Sequence, residues 1–311
     1  MNGMVIGALM VLGMAPQQTD TVFPVQNAKS LSIETPGGSI VVTGWDRDEI
    51  HVQAEHSHRS YVQVRRTRGG ERVSIEAEAS RGPATIVDFR VSVPRGLSVD
   101  LGGMYTDITV DGMNGEVSAE TMQGDVTVRG GRGSVKVSST TGKVLVEGAE
   151  GKIDAETAAD DIRFVNVRGD VVAESAGGDI LFEGAQASSV DVGTTGGRIS
   201  YDGTLTQGGT YYFGAHGGSV SMVVPEGTAA SFNVATVYGS IVSNLEGATT
   251  QMKGGERHKF DVGGGGAIVE IETFAGRISI MRKGTEGAMR DLEGNEGREM
   301  RFQEPAATIR R

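Results

Sequence analysis

The sequence predicts an all-β chain: a parallel β-solenoid of about 18-residue two-strand coils, with an antiparallel meander near the N-terminus. Three observations lead there. First, Gly115 to Gly203 repeats one pattern about every 18 residues: GEVSAETMQGDVTVRG, GSVKVSSTTGKVLVEG, GKIDAETAADDIRFVN, GDVVAESAGGDILFEG and ASSVDVGTTGGRISYDG. Second, each unit splits into two halves of about nine residues, short alternating apolar runs closed by Gly, Asp, Thr or Asn. Third, the 48 Gly lack the every-third spacing of collagen, so they mark turns, and only 5% aromatics suits a thin core.

The elements follow in order. Met1–Ala15 holds an apolar run, Val5–Met14, too short to span a bilayer. It has the length of a secretory h-region, with small residues at Gly13 and Ala15, although no Lys or Arg precedes it and Pro16 follows. Residues 1–19 are therefore expected to be a leader, and the protein to be exported to the periplasm or cell surface, with no membrane span once the leader is removed. A single solenoid domain is expected over 20–281. LSIETPGGSIVVTGW, Leu31–Trp45, is the repeat in its first form. Trp45, the one Trp, is expected to plug the open end of a terminal coil.

Residues 50–95 leave the period. Ile50–Glu55, Tyr61–Arg66, Arg72–Glu78 and Ile86–Val93 read as longer alternating strands, an antiparallel meander or cap, with a turn at Arg68-Gly69-Gly70. VPRG, Val93–Gly96, marks the return, and regular coils are expected over 97–245. Asp107, Asp125, Lys143, Asp161 and Asp179 recur at 18-residue steps, and Arg198, Ser219 and Ser240 continue at 19 to 21. After the Gly-rich loop Gly263–Gly266, a last coil is expected over 267–281 and a charged, disordered tail over 282–311.

The strand period of two assigns the core. The first half-coils should point Val117, Ala119, Thr121; Val135, Val137, Ser139; Ile153, Ala155, Thr157; and Val171, Ala173, Ser175 inward. The second should bury Val126, Val128; Val144, Val146; Ile162, Phe164; Ile180, Phe182; and Ile199, Tyr201. The inward hydroxyl column should bond to backbone at its turn, as structural glue and not as nucleophiles.

Composition excludes several functions. There is no Cys, hence no disulfide, thiolate metal site or thiol nucleophile. The net charge is −11; the tail from Arg282 has seven Lys/Arg and six Asp/Glu (7 − 6 = +1), so the body carries about −12. Nucleic-acid binding needs clustered cations and is not expected.

Four constellations merit weighing. The Asp107 column resembles a calcium β-roll, yet Lys143 and Arg198 occupy the would-be ligand positions, and turn preference explains the Asp residues. His51, His56 and His58 lack further zinc ligands, and a solvated strand end is expected. Glu120, Glu156, Glu174, Asp154 and Asp191 should share one outward face, but no aromatic or cationic cluster in the sequence picks out a catalytic pair. On the other sheet, Leu145 and Leu181 flank Arg163, with Val165 nearby, a candidate partner-contact strip. No catalytic residue, metal or cofactor is assigned.

SIETPGGSIVVTGWDRDEIHV, FRVSVPRGLSVDL and the run of Gly-Val half-coils resemble a bacterial family of adhesin-like β-strand-repeat proteins, built on a domain of unknown function and related to adhesin head domains. The resemblance spans about residues 30–282, and GWD and VPRG are its most specific features. It implies an exported, non-enzymatic repeat domain of the envelope, and no catalytic residues carry over. The expected function is a binding or scaffolding module for an unknown protein or envelope polymer. A polysaccharide-acting enzyme and an envelope regulatory protein-interaction domain remain the alternatives.

Overall fold

The computed structural model describes residues 17–57, 59–67, 69–79, 82, 86–248, 251–252 and 255–284. Residues 1–16 of the segment expected as a leader, Arg68, His58 and the tail beyond Gly284 lie outside them, whereas Gln17, Gln18 and Thr19 of that segment belong to β1. Among the described residues the regular structure is strand throughout. The first strands are β1 (Gln17–Pro24), β2 (Ser30–Trp45), β3 (Glu49–His56), β4 (Ser60–Arg66), β5 (Arg72–Ala79), β6 (Val87–Pro94) and β7 (Ser98–Met113). The regular coils are β8 (Val117–Gln123), β9 (Val126–Gly130), β10 (Arg132–Thr141), β11 (Val144–Glu147), β12 (Glu150–Thr157), β13 (Ile162–Val165) and β14 (Arg168–Ser175). Then come β15 (Ile180–Thr194), β16 (Ile199–Gly203), β17 (Thr210–Ala215), β18 (Val220–Val224), β19 (Ala230–Thr236), β20 (Ile241–Ser243), β21 (Gln251–Met252), β22 (Arg257–Val262), β23 (Ala267–Thr273) and β24 (Ile278–Arg282).

The coils stack in parallel, in register, as the period requires. Val135 lies between Val117 and Ile153, and Val144 between Val126 and Ile162. Two sheets face each other across a core of β-branched and aromatic side chains. The long strands β2, β7 and β15 run unbroken around a corner and join the sheets. Every predicted inward residue from Val117 to Tyr201 is buried. The aromatics gather toward the C-terminal coils: Phe164 stacks on Phe182 at 4.6 Å, and Phe182 meets Tyr201 at 5.4 Å. Burial pushes the Tyr201 phenol well up, and its hydroxyl donates to the Thr204 carbonyl at 2.8 Å.

The inward hydroxyls cap the corner as predicted. Ser139 donates to the Gly124 carbonyl at 2.9 Å, Ser175 to that of Asp160 at 3.3 Å, and Thr194 to that of Gly178 at 3.2 Å. At this corner neighbouring backbones nearly touch. A Cβ on Gly197 would lie 1.9 Å from the Gly178 carbonyl oxygen, so only glycine fits. The Asp column has a structural task more specific than turn preference. Asp107, Asp125, Asp161 and Asp179 each accept the backbone N–H one coil on, at 2.7–2.9 Å. Hydrogen bonds to the charged form hold a carboxylate in place without any metal.

Both ends depart from sequential stacking. Antiparallel pairs are present near the N-terminus, namely β1–β3, β3–β6 and β4–β5. Their order is not that of a simple chain, because β5 and β6 also pair in parallel with β2 and form a coil outside it. The first coil is therefore internal, between β5/β6 and β7. This corrects the role expected of Trp45. It is half-buried at a corner, its indole N–H donates to the Glu49 carbonyl at 2.9 Å, and Arg47 lies 4.9 Å over its ring. At the other end, β23/β24 is the last coil in sequence but not in space. It inserts between β17/β18 and β19/β20, pairing with both in parallel. The antiparallel strands β22 and β21 then close the stack against β19 and β20.

Candidate binding groove

The parallel register lines up one outward column along the first sheet. It runs Gln63, Glu76, Glu34, Gly102, Glu120, Ser138, Glu156, Glu174, Gly193, Gly214, Glu272, Ala235, Arg257. Where the column reads Gly193-Gly214, side chains are missing from two successive rows. The result is an open groove of about 630 Å³, with Glu156 and Glu174 on one side and Glu272 on the other. A Cβ on Gly193 would meet no neighbouring atom nearer than 4.0 Å, so that half of the floor is empty by residue choice; over Gly214 lies the Tyr212 phenol, 2.9 Å from where a Cβ would stand.

Aromatic side chains build the C-terminal wall. His216 follows the end of β17 and Phe274 the end of β23, and their rings stack at 4.8 Å, 3° from parallel. Tyr238 meets Phe274 edge-on at 5.2 Å and is 75% exposed. Tyr212 stands two residues before Gly214 on the same face. Partial burial, then the charges of Glu272, Glu270 and Asp191, raise its phenol above the usual tyrosine range, so it is a hydrogen-bond donor at neutral pH. Arg257 neutralises the far end of the column by pairing with Glu270 at 2.9 Å and with Glu272. Among the described residues no Lys or Arg lines the groove itself.

The acids Glu120, Glu156, Glu174, Asp154 and Asp191 do share one outward face. The expectation that no aromatic accompanies them is wrong, since Tyr212, His216 and Phe274 line the same groove as Glu156 and Glu174. Tyr212 was legible in the alternation TYYFGA. The His216–Phe274 pair was not, because it depends on β23 docking beside β17.

The partner-contact strip lies on the second sheet. Leu145, Arg163 and Leu181 are neighbours in register on β11, β13 and β15, and Val165 is two residues along from Arg163. Leu145, Val165 and Leu181 are half-buried, and Arg163 forks onto Glu183 at 2.9 and 2.8 Å, crossing the strip with an ion pair. Of the candidate histidines, His58 lies outside the described residues, and His51 and His56 have separate partners. His51 bonds Asp20 at 2.7 Å. His56 is buried, not solvated as expected, between the Thr19 hydroxyl at 2.9 Å and the Ser57 carbonyl at 3.0 Å. Antiparallel β1 covers it, which the sequence pattern does not signal. Among the described residues no cluster of His, Asp and Glu could hold a metal ion, and no helix is long and apolar enough to cross a membrane.

The architecture defines a class: a two-sheet parallel β-solenoid with antiparallel caps and one regular, groove-bearing face. Within that class the chain belongs to the Toastrack DUF4097 family, whose model matches residues 28–280. Among curated proteins none matches it. Similar solved structures include a candidate adhesin of Bacteroides fragilis, 13% identical with a TM-score of 0.38 over 87% of this chain and 100% of that one. A candidate lipid-binding protein of Parabacteroides distasonis is 11% identical, with a TM-score of 0.37 over 86% and 97%. A candidate cell adhesion protein of Clostridium sporogenes is 11% identical, with a TM-score of 0.27 over 86% and 100%. These likenesses are too distant to carry a ligand across.

Proposed function

We propose that the chain is a non-enzymatic binding module, exported to the cell envelope, that seats an extended partner in the Gly193-Gly214 groove. The observation that carries this is the groove's composition: a floor open at Gly193, an aromatic wall, and the carboxylates Glu156 and Glu174, which have no ion-pair partner among the described residues. Rigid aromatic faces give contact area at low entropic cost, and free carboxylates give direction. The leader-like run Val5–Met14 supports export. Glu156 and Glu174 are both exposed on an open sheet face, which favours binding over glycoside cleavage. The strip Leu145, Arg163, Val165, Leu181 is kept as a second, weaker contact face on the opposite sheet.

The test is co-sedimentation of the purified chain with isolated envelope polymer. A Cβ at Gly193 has open space around it, so Gly193→Leu should abolish pelleting while leaving the melting temperature unchanged. Pelleting equal to wild type, with the fold intact, would place the contact elsewhere.

A further inference from the structure

The same face carries a second groove on the same plan. It measures about 550 Å³ and is lined by Glu34, Glu76 and Glu120, with Met104 and Met122 exposed on its flank. Its floor is Gly102, which stands in the column between Glu34 and Glu120. Among the described residues no Lys or Arg lines this groove, although Arg65 pairs with Glu76 at 2.7 Å. Gly102 and Gly193 are five strand steps apart in the column, about 24 Å at the ordinary inter-strand spacing.

Of the six acids in this column, Glu76 pairs with Arg65 and Glu272 with Arg257, and the other four are handled differently. On other faces carboxylates are matched to cations on neighbouring coils, as in Arg129–Glu147, Arg163–Glu183 and Arg198–Asp179. Glu156 and Glu174 instead stand directly opposite each other in register. Neither they nor Glu34 and Glu120 have an ion-pair partner among the described residues. Like charges in direct cross-strand register destabilise a sheet. A positive ligand lying along the column removes that repulsion.

We propose that this face binds an extended glycan bearing protonated amines, laid along the solenoid axis across both grooves. The proposal rests on the binding-module reading above and names its ligand. Charge complementarity supplies the amines, since carboxylate–ammonium hydrogen bonds are among the stronger polar contacts. The parallel His216 and Phe274 rings and the Tyr212 ring offer flat apolar faces to the C–H faces of a sugar. A stiff saccharide chain is already straight, so it loses little freedom on a straight column of subsites about 4.8 Å apart. A lysine-rich peptide matches the charge but has no such ring faces and must be ordered on binding.

The experiment is calorimetric titration of the full chain with chitosan oligosaccharides of increasing length, alongside their N-acetylated counterparts and oligolysine. The free-amine oligomers should bind about tenfold or more tighter than the acetylated ones. Affinity should step up about tenfold or more once an oligomer is long enough to reach both floors, because the second contact becomes intramolecular. Gly102→Leu should remove the step and spare short oligomers. Glu156→Gln with Glu174→Gln should weaken every length about tenfold. A Cβ at Gly102 meets only the Glu34 Cγ, at 3.6 Å, an ordinary contact, and a melting temperature equal to wild type checks that the Leu variant is folded. Equal binding of acetylated oligomers, equal binding of oligolysine, or an affinity independent of length would overturn the proposal. If chitosan fails while Gly193→Leu still abolishes pelleting, the glycan assignment falls and the binding module stands.

Discussion

Val144→Asp tests the inward column at its most regular point. Val144 is 1% exposed and lies in register between Val126 and Ile162. The substitution removes a buried aliphatic side chain, worth about 1.5–3 kcal/mol. It also places a carboxyl where burial would raise its pKa by about 3–5 units, at about 1.36 kcal/mol each. At pH 7 the ionisation penalty is limited to the roughly 3 units above the unfolded value, about 4 kcal/mol, so the two effects sum to about 5.5–7 kcal/mol, comparable with the whole stability of an ordinary domain. Thr127→Asp, one residue beyond inward Val126 and half-buried on the outer face, should cost about 1 kcal/mol or less. The assay is urea unfolding followed by far-UV circular dichroism at pH 5 and pH 7. A carboxyl whose folded pKa is raised is penalised least below its unfolded value near 3.9, and the penalty grows as pH rises toward the folded value. The deficit of Val144→Asp relative to wild type should therefore be about 2.7 kcal/mol larger at pH 7 than at pH 5, and that of Thr127→Asp nearly constant. Equal harm from both, or a deficit at residue 144 indifferent to pH, would refute the inward–outward assignment.

Three further outcomes are expected. Gly197→Ala forces a Cβ to 1.9 Å from the Gly178 carbonyl oxygen and should cost about 3 kcal/mol or more in thermal melts, whereas Gly193→Ala, with open space above it, should change little. Phe182→Ala removes a ring stacked between Phe164 and Tyr201 and should cost about 3–5 kcal/mol in the same melts. For Asp179, burial works to raise the pKa, but hydrogen bonds from the Arg198 side chain and backbone outweigh it and hold the carboxyl below the usual range. Its contribution is therefore present above the ordinary carboxylate pKa and lost as pH falls through the lowered value. Between pH 5 and pH 3, Arg198→Gln should lose less stability than wild type, and a steeper acid loss in the variant would contradict the pairing.

The repeat was legible because a parallel, in-register stack sets residue i over residue i + 18, and the strand period of two sorts each residue inward or outward. From Val117 to Tyr201 those two periods suffice to assign the core, the hydroxyl corner and the acidic outer face. They also place Leu145, Arg163 and Leu181 in one column. They do not determine which coil docks on which. Every coil offers its neighbours the same row of backbone donors and acceptors and the same β-branched residues, so Ile278 fits equally against Val220 and Ile241, and pairs with both. Only the tertiary structure decides that β23/β24 slips between two earlier coils and that β5/β6 lies outside β2. That decision brings Phe274 against His216 and sets Glu272 across two glycines from Glu174. The period is a local property of the chain, whereas the groove is made by contacts between segments whose separation no period records.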